Sequence, residues 1–224
     1  MLPHPPIELR TEATPSPLLE AVQLTHSYGD KRVLQGASLT VCAGEAVAIV
    51  GENGAGKSTL MKICAGLIRP DTGELHVRGR VGYCPQIPGL FDLLNAEEHL
   101  ALFAPGLGLS TEVVVNEGWR LLEELGFRVG DRSPSRYLSG GGRQKLNLGL
   151  ALLGGARVLL LDEPYQGFDH GAYVSFWEHV SRWQSEGLAV VVVTHLLTDL
   201  ALVDRVIELR IPGSTRSEYE EMTR

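Results

Sequence analysis

The stretch GENGAGKST, Gly51 to Thr59, places a lysine and two hydroxyls behind a run of glycines. Gly51, Gly56, Lys57 and Ser58 match the spacing G-x-x-x-x-G-K-[ST], after a strand-like AVAIVG and before a helix-like KSTLMKICAGL. Glycine lets the backbone turn so that successive N–H groups aim at the β- and γ-phosphates of a nucleotide. The helix that follows adds the partial positive charge of its N-terminus. Gly51, Asn53, Gly54, Ala55, Gly56, Lys57, Ser58 and Thr59 are therefore the candidate phosphate contacts. Lys57 supplies a point charge, and the Ser58 hydroxyl is a Mg²⁺ ligand in this geometry.

Two acids close the apolar run VLLLDE. Placing carboxylates there is costly unless a cation or a substrate needs them. Adjacent strand residues point to opposite sides, so Asp162 and Glu163 divide the work. Asp162 is the natural Mg²⁺ partner, and Glu163 is placed to polarise an attacking water as a general base. His195 ends a further run, AVVVVTH, where it could contact the γ-phosphate or orient that water. A second glycine-rich loop, LSGGGRQK at Leu138 to Lys145, has no evident use for a nucleotide that already has one cradle.

These residues need a scaffold that gathers them at one edge. The runs AVAIVG, RVLLLDEP and AVVVVTH are continuous rather than alternating, which predicts strands of a parallel sheet covered on both faces. Ligands bind such sheets at the carboxyl ends of the strands, where the polar residues lie. Between Leu18 and Thr40 the pattern predicts short antiparallel strands joined by a Gly-Asp turn. Residues 87–137 carry helical spacing instead, with Val115, Trp119 and Leu122 on one face and Ser110 as N-cap. The segment reads as a helical subdomain inserted into an α/β core spanning 18–211. Residues 1–17, rich in proline, read as a disordered tail, and 212–224 as a polar one.

A formal net charge of -7 argues against nucleic acid as a partner and against anchoring on anionic lipid by a basic face. Cys42, Cys64 and Cys84 fit no zinc or CxxC spacing and are expected to be reduced, mostly buried thiols; Cys84 sits beside a loop assigned to the chemistry, but no sequence signal supports oxidation sensitivity there. No apolar run reaches the roughly 18 residues a membrane span requires. Work at a membrane would need a partner.

Taken in order, GENGAGKST, YCPQ, LSGGGRQK, VLLLDEP, GFD and VVVTH resemble the ATP-binding subunits of ABC transporters across about 18–211. The resemblance implies a P-loop NTPase fold of the ABC ATPase type: a mostly parallel sheet, an N-terminal antiparallel part and an inserted helical subdomain at about 87–137. It implies Mg²⁺-dependent ATP hydrolysis. Tyr28 then looks like the aromatic that stacks on adenine, and Gln86 like the glutamine that senses Mg²⁺ and the γ-phosphate. Asp169 looks like the aspartate of a loop that crosses between two subunits. Ser139, Gly140 and Gly141 look like the signature that meets the γ-phosphate held by a second ATPase subunit, which makes a homodimer the simpler expectation and leaves a heterodimer open. The chain differs from the usual pattern at Gly142, Lys145 and the loop YQGF, but keeps Ser139 and Gly141.

By the same resemblance the partners are a separate transmembrane permease subunit and a second ATPase subunit, with the chain peripheral at the cytoplasmic face of the cell membrane. LLNAEEHL, RQKLNLGLALL and the short chain are more similar to exporter than to importer subunits. A soluble ABC-type ATPase acting on ribosomes or DNA is the reading from another class.

Overall fold

The computed structural model describes residues 16–212 and 219–223. Its centre is a six-stranded sheet in the order β5-β6-β7-β3-β8-β9, formed by Val81–Cys84, Val158–Asp162, Ala189–Val193, Ala46–Val50, Arg205–Leu209 and Tyr219–Thr223. All neighbours run parallel except β8 and β9. Every residue of β6 and β7 is buried, the burial expected of strands covered on both sides. Successive side chains of β6 serve two different cores: Val158 and Leu160 face one, Leu159 and Leu161 the other.

The first core is closed by a three-stranded antiparallel sheet, β2-β1-β4 (Lys31–Val41, Leu19–Tyr28 and Thr72–Val77), and by helix α1 (Lys57–Cys64). Gly29 and Asp30 make the turn between β1 and β2, as the Gly-Asp pair predicted. Leu24, Ile49, Met61 and Val191 meet here. The second core packs α5 (Gly140–Leu152) and α6 (His170–Ser185) on the opposite face, with Leu146, Phe176 and Trp177 among its buried members.

Between β5 and α5 lie helices α2 (Ala96–Leu102), α3 (Ala104–Leu107) and α4 (Thr111–Glu124). Asn95 and Glu98 form a reciprocal capping box at the start of α2. Ser110 caps α4 by accepting from the Val113 amide at 3.3 Å. The buried stripe of α4 is Val114, Gly118, Leu121 and Leu122, while Val115 and Trp119 are only half-buried at its border. The stripe therefore sits one position away from the one that apolar spacing picks out. Gly118 is the reason: a Cβ there would lie 2.2 Å from Leu100 Cδ2, so α2 and α4 touch where neither spacing nor hydropathy marks a contact. Leu100, Val114, Leu122 and Leu146 join the same core as Leu159 and Leu161, so the helical segment and the sheet share one interior.

The C-terminal segment departs from the expected polar tail. Tyr219–Thr223 pairs antiparallel with β8 and forms the sheet edge. An edge strand is held by backbone hydrogen bonds and does not require an apolar pattern, which is why polarity alone concealed it. The expected N-terminal tail lies, except for 16 and 17, outside the described residues. Among the described residues no helix is long and apolar enough to cross a membrane.

Candidate functional site

Three strand ends converge on the phosphate loop. β3 runs into it at Gly51, β6 ends on Asp162, and β7 leads through Thr194 to His195. Gly56, with φ 91°, turns the loop into α1, and a Cβ there would approach the Val33 carbonyl oxygen to 2.5 Å. Only glycine fits that approach. Lys57 is buried beneath the loop and donates to the carbonyl oxygens of Gly51 (2.7 Å) and Glu52 (2.9 Å). Burial lowers its pKa, opposed by the charges of Glu163 and Asp162.

Asp162 is only 3 % exposed. Desolvation raises its carboxyl above the usual carboxylate range, offset in part by a hydrogen bond from the Ser58 hydroxyl and the charges of Lys57 and Lys62. A buried carboxylate paired with a hydroxyl offers two hard oxygen ligands, the set Mg²⁺ takes when phosphate oxygens and water supply the rest. The residues present fit that ion.

Glu163 has φ 47°, a left-handed conformation that a residue with a side chain adopts only under constraint. Its amide donates to the Val193 carbonyl at 3.1 Å. The carboxylate lies between two side chains from other strands: Gln86 Nε2 donates to Oε2 at 2.9 Å, and His195 Nε2 approaches Oε1 at 2.6 Å. Gln86, Asp162, Glu163 and His195 line one cavity of about 280 Å³ with Asn53, Gly54, Gly56, Lys57, Ser58 and Thr59. Ten of the residues picked out from sequence thus meet in one place. Lys31 and Val33 of β2 line it as well. Nothing in a one-dimensional motif marks them; their position just after the Gly29–Asp30 turn is the only signal.

The other expected residues lie elsewhere. Ala55 is buried under the loop and Gly51 directly follows β3, and neither lines the cavity. Tyr28, at the end of β1, is half-exposed and stacks edge-on against His26 with centroids 4.8 Å apart. Ser139 caps α5 by accepting from the Gly142 amide at 3.1 Å, and Gly140 and Gly141 form the first turn of that helix. Asp169 caps α6, accepting from the Ala172 amide at 2.8 Å. Ser139, Gly141 and Asp169 line a second cavity of about 340 Å³ that shares no residue with the phosphate cleft. Within one chain the two glycine-rich loops do not form a common site.

Cys84 is fully buried and accepts from Asn147 Nδ2 (3.2 Å) and Gln144 Nε2 (3.6 Å) of α5. Burial pushes its thiol far above the ordinary range, so it is an inert structural group and not a site of oxidation near the chemistry. Asn147 Nδ2 also donates to the Pro85 carbonyl at 2.9 Å, tying the signature helix to the strand that delivers Gln86. A mid-helix asparagine carries no motif, and sequence alone does not reveal this tie.

A glycine-lysine-serine loop between β3 and α1, with the acids at the end of β6, defines a P-loop NTPase fold. The ABC transporter family pattern matches residues 34–166, more than half of the chain, and the chain belongs to that family. It is 34% identical over 216 residues to the Nod factor export ATP-binding protein I of Rhizobium meliloti (strain 1021), which covers 88% of this chain and 63% of that protein. It is 32% identical over 221 residues to the human phospholipid-transporting ATPase ABCA3, covering 90% of this chain and 13% of that one. The chain thus spans less than two thirds of the length of these curated relatives. A solved ATP-binding subunit of an ABC transporter superposes with TM-score 0.78 at 31% identity, covering 92% of this chain and 90% of the other. A bacterial ABC transporter cassette solved as a dimer has the same fold, with TM-score 0.80 at 24% identity over 92% of this chain and 98% of that one.

Proposed function

We propose that this chain binds and hydrolyses ATP with Mg²⁺ to power translocation by a membrane ABC transporter that exports its substrate. The observation that carries this is the Glu163 carboxylate, held between Gln86 and His195 at the edge of the phosphate cleft. Lys57 and the loop amides would hold the β- and γ-phosphates, with Ser58 and Asp162 holding Mg²⁺. Held there by Ser58 and Asp162, Mg²⁺ would supply positive charge against the phosphate oxygens. Glu163 would take a proton from the attacking water while His195 and Gln86 fix its orientation. Tyr28 would stack on the adenine, a contact worth about 1–3 kcal/mol.

Ser139, Gly140 and Gly141 make sense only against a second subunit. The free N–H groups at the start of α5 would then face the γ-phosphate bound by the partner, with Asp169 at the crossing. ATP closes such a dimer because it binds the closed form better, and loss of the γ-phosphate reopens it. Two copies of this chain would complete two sites.

The segment just after Gln86 supports a permease partner. Ile87 is 82 % exposed, and Phe91 and Leu93 are also largely exposed, an apolar group on a charged molecule. The chain would sit at the cytoplasmic face of the membrane through that contact. Export is the direction named in the Nod factor relative, and the local likeness of LLNAEEHL and RQKLNLGLALL points the same way.

The test is affinity purification from detergent-solubilised membranes combined with an ATPase assay with and without Mg²⁺. Recovery of a multi-span membrane protein with Mg²⁺-dependent ATPase activity is expected. Recovery of ribosomes or DNA instead would overturn the transport reading.

A further inference from the structure

The loop between Glu163 and Asp169 carries, directly after Pro164, a bulky aromatic, Tyr165, which the catalytic arrangement above does not use. Its hydroxyl is directed into a small buried cluster. Tyr165 OH lies against both Thr194 Oγ1 and Asp199 Oδ2 and can give its single proton to either. Thr194 Oγ1 donates to the same Oδ2, and Tyr173 OH donates to Oδ1. Asp199 is completely buried and Thr194 nearly so. Three hydroxyls around one buried carboxylate form an arrangement in which every member matters, because each lost donor leaves the charge less compensated.

The cluster reaches the catalytic turn through Thr194. That hydroxyl also accepts from the Leu196 amide at 3.0 Å, so it closes a short turn with His195 at its apex. Tyr165 itself stands two residues beyond Glu163, and its carbonyl accepts from the Phe168 amide at 3.0 Å within the loop leading to Asp169. Its ring is fixed by edge-on packing against Tyr173 and Phe176, with centroids 5.4 and 5.7 Å away.

We propose that Tyr165 is a positioning residue that locks the Glu163–Asp169 loop to the His195 turn through Thr194 and Asp199. The 2.6 Å approach of His195 to Glu163 spans two strands, whose ladder pairs Asp162 with Val193 and ends on the Glu163 amide donating to the Val193 carbonyl. Beyond that ladder, the Tyr165 hydroxyl on Thr194 and Asp199 ties the two outgoing loops together. Through the same loop, movement of Asp169 is transmitted to the pair. The inference rests on Glu163 and His195 acting together in ATP hydrolysis.

Tyr165→Phe keeps the ring and removes the hydroxyl. Tyr173→Phe removes a hydroxyl from the same carboxylate without touching Thr194. Tyr165→Phe is expected to lower kcat for ATP about tenfold or more with KM for ATP unchanged, because small misplacements of reacting groups cost rate steeply. Thr194→Val, nearly isosteric, should match it and serves in its place should Tyr165→Phe not fold. Tyr173→Phe should lower thermal stability comparably and leave kcat within about twofold.

Hydrogen exchange provides a readout independent of catalysis. The Leu196 and His195 amides should exchange faster in Tyr165→Phe than in the wild type or Tyr173→Phe. Equal exchange in all three, or equal losses of kcat in both tyrosine variants, would overturn the lock. Faster exchange confined to Tyr165→Phe in a protein that never hydrolyses ATP would instead refute the proposed function and leave the lock standing.

Discussion

His195 Nε2 sits 2.6 Å from Glu163 Oε1, although the two residues are carried by different strands and lie 32 positions apart. Gln86 Nε2 holds the other oxygen of the same carboxylate at 2.9 Å. With both oxygens engaged and a left-handed backbone beneath them, the orientation of Glu163 is set before any nucleotide arrives. Such preorganisation suits a group that must receive a proton at one defined point.

Glu163→Gln keeps the size of the side chain and removes the basic oxygen. ATP hydrolysis should fall by about 10²–10⁴-fold while ATP binding persists. Size-exclusion chromatography with ATP should then show a dimer that the wild type forms only transiently. Hydrolysis at the wild-type rate in this variant would sink the general-base role.

Asp162 makes a prediction with a definite sign in pH. Burial raises its carboxyl in the folded protein, so the folded state holds the proton more tightly than the unfolded chain. The stability this group contributes is present below its unfolded pKa and is lost as pH rises through the raised folded value. Asp162→Asn removes the buried charge. The nucleotide-free variant should be more stable than the wild type at neutral pH by about 1 kcal/mol, with the gap shrinking in acid. Stabilisation by Mg²⁺ and ATP should be much weaker in the variant. Melting curves at several pH values, with and without Mg²⁺ and ATP, check both parts; a gap that widens in acid would contradict the burial argument.

The exposed side chains after Gln86 can be tested without disturbing the cleft. Ile87 and Leu93 line neither cavity described above. The double substitution Ile87→Asp, Leu93→Asp should leave the melting temperature within a few degrees and basal ATPase within about twofold, as surface changes generally do. Co-purification of the membrane partner should be lost. Full retention of the partner would move the docking surface elsewhere.

Gly142 is where the signature loop departs from the common pattern. A Cβ there would lie 3.3 Å from Ser139 Oγ and 3.5 Å from Leu138 Cβ, with no backbone in the way. The residue sits in the first turn of α5, where glycine costs roughly 0.5–1 kcal/mol in backbone entropy. Gly142→Gln should therefore raise the melting temperature by about 2–4 °C. ATPase activity should be preserved, because the Ser139 cap is formed by the residue-142 amide, which the substitution retains. A lower melting temperature would show that the tight contact with Ser139 outweighs the entropy gained.

What the linear chain determined by itself is the candidate site and the class of scaffold. Gly56, Lys57, Ser58, Asp162, Glu163 and His195 are readable because the proposed phosphate and Mg²⁺ chemistry would call for those types next to strand ends. Those ends show themselves as continuous apolar runs, since β6 and β7 are buried on both faces. Contacts between side chains distant in sequence were decided only by the tertiary structure. Gly118 against Leu100, Asn147 on Cys84 and Pro85, and Tyr165 with Thr194 and Asp199 leave no periodic trace. Each depends on how two elements are set against each other, and on which face of a helix turns inward. The edge strand β9 was concealed for the same reason: its partner is a backbone, and backbone hydrogen bonding carries no sequence code. The second glycine-rich loop joins both levels. Its residue types are plain in the sequence, while its separation from the phosphate cleft is a fact of three dimensions.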